Sequence, residues 1–139
     1  MTDERPPRLD SSLAELFVAN AHGNFDKVRE LHARGPQLVN AAWDWGGGDW
    51  ETALGAAAHM GEREIALFLL EHGARLDVFA AAMLGYTEIV RAILEAHPET
   101  RDSRGPHGIP LLAHARQGGE HARGVVELLE SAGAAMPAA

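Results

Sequence analysis

Residues 52–74 read TALGAAAHMGEREIALFLLEHGA, two short helices with a glycine between them and a Gly-Ala after them. In the first helix Leu54, Ala56, Ala57 and Ala58 keep the surface small enough for a neighbouring backbone to approach closely. Gly61 is placed to close it in the left-handed conformation that residues with a Cβ disfavour. In the second helix Ile65, Ala66, Leu69 and Leu70 fall on one stripe while Glu62, Glu64 and Glu71 stay in water, and Gly73 ends it.

The same pattern occurs three more times along the chain. It appears as LFVANAHGNFDKVRELHARGP at 16–36, VFAAAMLGYTEIVRAILEAHP at 78–98 and IPLLAHARQGGEHARGVVELLESAGA at 109–134. In the first copy Leu16, Ala19, Gly23, Val28, Leu31 and Gly35 take the places of Leu54, Ala57, Gly61, Ala66, Leu69 and Gly73. Self-similarity at this length is the mark of a repeat architecture, in which each unit buries its apolar face only by stacking on its neighbours.

These residues resemble the ankyrin-repeat family, whose unit has a T-P-L-H-x-A helix start, a mid-unit glycine, an I-V-x-x-L-L helix and a terminal Gly-Ala. The resemblance covers about residues 13–134, and the heavy use of Arg, Ala and Gly points to a bacterial source. It implies an all-α ankyrin-repeat solenoid of about four helix-turn-helix units, near 10–35, 36–74, 75–98 and 99–135. These form a single domain between a disordered tail at 1–9 and a short tail at 136–139, and the terminal units act as caps. Ser12 and Glu15 match a capping box for the first helix. Asn20 and Lys27 replace apolar residues in the first unit, as a solvated end requires.

Family members project a hairpin, or finger, between units that repeat about every 33 residues. Here 38 residues separate Gly23 from Gly61, so the finger at 36–51, PQLVNAAWDWGGGDWE, is enlarged by about five and holds all three tryptophans. Only 24 residues separate Gly61 from Gly85, which leaves no room for a finger between Ala74 and Val78. Asp77 is then expected to cap the next helix directly. An open notch is predicted beside the tryptophan finger, and a second finger at 98–108.

Composition narrows the function classes. A formal net charge of -8 opposes binding to nucleic acid or to anionic membranes, which need a concentrated basic surface. The absence of cysteine excludes disulfides and thiolate sites. Apolar runs are too short to span a bilayer, and 1–8 lacks the character of a signal peptide, so a cytoplasmic location is expected.

No catalytic or metal motif stands out. The eight histidines form neither HxH nor HxxxH nor HExxH, and no metal ligand set or cofactor is predicted; His107, His114 and His121 are the only regular series. His22 and His72 sit beside helix-ending glycines, where an imidazole bonds the last carbonyls, and His114 reads as a hydrogen-bonded core residue. Asp44, Asp49 and Glu51 read as a solvated acidic finger. Gly46, Gly47 and Gly48 are followed by no Gly-Lys-Ser/Thr and are no phosphate loop. No enzyme is predicted.

What remains is a binding surface. Tryptophan dominates interface hot spots, and a glycine-tipped finger bearing three of them predicts a docking face formed by Trp43, Trp45, Asp49, Trp50, Met60 and Tyr86. The resemblance implies a non-catalytic protein–protein interaction module, monomeric, with a protein partner that the acidic finger would favour if basic. Two alternatives are a small-molecule- or metal-dependent activity in the notch and structural self-association.

Overall fold

Asp10 opens the first helix. In the structure, a computed structural model that describes residues 4–134, its Oδ1 accepts from the backbone N–H of Ser12 at 2.9 Å and from the Ser12 hydroxyl at 2.8 Å. The capping box expected at Ser12 and Glu15 is therefore replaced by an aspartate cap, with Ser12 already inside the helix and donating its hydroxyl. Of the tail expected at 1–9, residues 4–9 are exposed and carry no helix or strand, whereas 1–3 and the tail expected at 136–139 lie outside the described residues.

Among the described residues eight α-helices follow in four consecutive pairs: α1 (Ser11–Asn20) with α2 (Phe25–Arg34), α3 (Ala53–His59) with α4 (Arg63–Glu71), α5 (Val78–Leu84) with α6 (Thr87–Ala96), and α7 (Leu111–Gln117) with α8 (Arg123–Ser131). Thr52 caps α3 through its Oγ1, which accepts from Gly55 N at 2.9 Å. Asp77 caps α5 as expected, accepting from Ala80 N at 2.8 Å. Gly61, Gly73, Gly85 and Gly133 follow their helices at positive φ.

The first helices of the pairs pack in a row, α1 on α3, α3 on α5 and α5 on α7. Alanine makes that row possible: Ala56, Ala57, Ala58, Ala80, Ala81 and Ala82 are all buried, and larger groups such as Phe17, Ile65, Leu69 and Met83 fill the spaces they leave. At Gly85, with φ +83°, an added Cβ would stand 1.8 Å from the carbonyl oxygen of His121, so the loop before α8 lies directly against this backbone.

The enlarged finger is a hairpin of β1 (Ala42–Asp44) and β2 (Trp50–Thr52), antiparallel, with Trp43 opposite Glu51 and Asp44 opposite Trp50. Its glycine tip reverses at positive φ, held by Asp44 Oδ1, which accepts from Gly46 N at 2.8 Å and Gly48 N at 3.0 Å. No strand lies between Ala74 and Val78. There Asn40 ties the finger base to the linker, donating to Gly73 O at 3.0 Å and accepting from Arg75 N at 2.9 Å.

Two expectations change. The second finger is a pair of 3-10 turns, Pro98–Asp102 and Pro106–Gly108, closed by a single bridge between Arg104 and Pro110. And the expected notch is filled: α7 packs on α3 as well as on α5, and the Pro106–Gly108 turn bonds the tryptophan finger.

Candidate functional site

Strand alternation decides the site. In β2 Trp50 is 62% exposed, and the pleat therefore turns the next side chain, Glu51, inward, where it is 1% exposed. The expectation of a solvated acidic finger is thus corrected for Glu51, a buried carboxylate that needs partners. They come from four places. Trp45, across the hairpin, donates its indole N–H to Glu51 Oε1 at 2.8 Å. His22, just beyond α1, brings Nε2 to 3.2 Å from Oε1; His59, at the end of α3, brings Nε2 to 3.0 Å from Oε2; His107 brings Nε2 to 3.3 Å from Oε2.

The far side of each outer ring is also engaged. Nδ1 of His22 faces the carbonyl oxygens of Val18 and Ala19 at 3.1 and 3.0 Å, as expected for a histidine at a helix end. Nδ1 of His107 faces Asp49 Oδ2 at 2.7 Å, and the His107 backbone N–H donates to Asp49 Oδ1 at 2.8 Å. His107 is the one described non-glycine residue at positive φ, +62°, a conformation that persists only when its surroundings hold it. The rings of His22 and His107 lie 5.0 and 5.2 Å from that of His59, centroid to centroid.

Burial pushes the Glu51 carboxyl up, but the His59 imidazole, the Trp45 indole N–H and the nearby His22 and His107 outweigh it and hold the group below the usual carboxylate range. The His107 backbone N–H, and then its ring, lower Asp49 as well. One contact is incomplete. Glu51 Oε2 and His59 Nε2, although 3.0 Å apart, are both buried and neither has a hydrogen bond of good geometry. His22, Glu51, His59 and His107 each offer one ligand atom, all within 4.8 Å of one another, so among the described residues these four side chains form a group that could hold a metal ion.

The predicted docking residues separate. Trp45 (38% exposed), Trp50 (62%) and Met60 (46%) reach solvent. Trp43 is half-buried against the core, and Asp49 is engaged by His107. Tyr86 lies elsewhere, packed on the core and lining a groove with Phe25 and Phe68 beside the outer helices. The regular series of histidines also comes apart. His107 joins His22 and His59, whereas His114 is buried against Phe79 with Nδ1 at 2.9 Å from Pro110 O, the core role expected of it, and His121 is exposed on the turn before α8.

Sequence spacing missed this cluster because its members belong to four separate segments. Its one local signal is the alternation of Trp50 and Glu51, which sends a carboxylate inward. Neither the protein-family models nor the curated proteins give a match to this chain.

Proposed function

We propose that this chain is an ankyrin-type repeat protein, a solenoid of four stacked units, that docks a protein partner through its tryptophan finger and carries out no catalysis itself. The observation that carries the reading is Trp50, 62% exposed at the start of β2, with Trp45 and Met60 also open to solvent. Large apolar side chains left in water on a projecting hairpin suit a partner that desolvates them. The repeat assignment is supported by four consecutive helix pairs whose first helices pack in sequence, and by left-handed glycines after their helices. A net charge of -8 favours a basic partner, met by a monomer in the cytoplasm.

The test uses a photo-crosslinking residue at position 50, with position 76 as control. A protein captured from position 50 alone is then purified and its affinity compared for the parent and Trp50→Ala. Trp50 is the cleaner probe, because Trp45 bonds Glu51. Loss of binding with an unchanged circular dichroism spectrum supports the reading; equal affinity moves the partner to another face.

One observation favours a second reading, a small-molecule- or metal-dependent activity beside the finger: three histidines converge on a buried glutamate there.

A further inference from the structure

We propose that His22, Glu51, His59 and His107 form a binding site for one divalent first-row transition-metal ion, zinc being the best fit, which fastens the tryptophan finger to α3 and to the Pro106–Gly108 turn. The proposal stands independently of partner docking.

The argument rests on where the lone pairs point. With Nδ1 of His22 facing two carbonyls and Nδ1 of His107 facing Asp49, each ring, when neutral, carries its hydrogen on Nδ1 and turns an Nε2 lone pair to the Glu51 carboxylate. His59 Nε2 and Glu51 Oε2 are buried, 3.0 Å apart and without hydrogen-bond partners. Acceptors facing acceptors in a buried place are unfavourable unless something positive lies between them. A proton relieves one such contact. A cation at the common centre relieves all of them.

Ligands about 2.0–2.1 Å from a tetrahedral zinc ion stand about 3.3 Å from one another. His22 Nε2 lies 3.2 Å from Glu51 Oε1, His59 and His107 Nε2 lie 3.0 and 3.3 Å from Oε2, and one ligand atom from each of the four lies within 4.8 Å of the others, so an ion at the centre would draw the imidazoles inward by small side-chain rotations.

The supporting groups agree too. Ligating histidines usually donate their second ring N–H to a carboxylate or a carbonyl, and ligating carboxylates are themselves hydrogen-bonded. Asp49 does this for His107, the α1 carbonyls for His22 and the Trp45 indole for Glu51. The left-handed backbone at His107 is the local distortion that delivers its ring.

Ligand chemistry selects the ion. Three imidazoles and one carboxylate suit zinc and its neighbours in the first transition row, whereas calcium and magnesium prefer oxygen throughout. Four protein ligands fill a tetrahedral ion, so the site is structural, joining segments distant in sequence.

The experiment uses untagged full-length protein, stripped with chelator and titrated with cobalt(II) and then zinc. The expected result is one ion per chain, intense visible ligand-field bands for cobalt that zinc displaces, and a higher melting temperature with zinc. Glu51→Gln and His107→Gln should each weaken binding at least 100-fold, while His121→Gln binds as the parent does. His107 is partly exposed and on a turn, so its variant carries the test if Glu51→Gln fails to fold. Absence of stoichiometric binding, or binding retained in His107→Gln, overturns the site; in the first case the histidines and Glu51 are a proton-linked network only.

Discussion

One carboxylate of the finger holds both ends of His107: Asp49 Oδ1 accepts the backbone N–H at 2.8 Å and Oδ2 faces ring Nδ1 at 2.7 Å. Residues 58 apart in sequence are thereby locked in register, and the ring is turned toward Glu51. Asp49→Asn keeps the shape and removes the charge. Amide hydrogen exchange across 104–110 should speed up while exchange in α4 stays unchanged, as mass spectrometry of the two peptides would show. Equal protection at 104–110 would mean that the turn is held by other contacts.

Gly85 and Gly73 separate two costs that are usually mixed. Both have positive φ, but a Cβ at Gly73 meets nothing within 4 Å, while one at Gly85 would stand 1.8 Å from His121 O. Gly73→Ala should cost about 1–2 kcal/mol for the left-handed conformation alone. Gly85→Ala should cost more than that, because backbone must also move. Urea denaturation of the two variants compares them directly.

Leu69 is fully buried in the core shared by α1 to α5. Leu69→Ala should destabilise the fold by about 2–5 kcal/mol, with the spread set by how far the neighbours relax into the cavity. Thermal melting matching the parent would contradict its place in the core.

His114 gives the pH dependence a definite sign. Burial holds its imidazole below the ordinary histidine value, opposed by the bond to Pro110 O. The unfolded chain therefore takes up the proton first. The stabilisation is present above the ordinary histidine value, about 6.5, and is lost as pH falls through the depressed folded value. His114→Asn keeps a donor for Pro110 O, and its melting temperature should fall less between pH 7 and 5 than that of the parent.

Much of the local structure was legible in the residues. The glycines at 61, 73, 85 and 133, the cap Asp77, the apolar stripe of α4 and the helix pairs all follow from near-neighbour sterics and hydrogen bonding. The spacing argument also read the large finger and the absence of one after Ala74. The capping-box reading failed at Ser12, because Asp10, two residues earlier, is the cap and accepts from both the Ser12 N–H and its hydroxyl.

The sequence by itself determined the helices, their pairing and the glycine-tipped hairpin, because each depends on residues within a few positions of one another. Only the tertiary structure decided that the Pro106–Gly108 turn lies against the tryptophan finger, and that His22, His59 and His107 meet around Glu51. That convergence depends on α7 packing on α3 as well as on α5, which sets the turn before α7 beside the finger. Such a position is set by packing among elements distant in sequence, and no local run of residues records it.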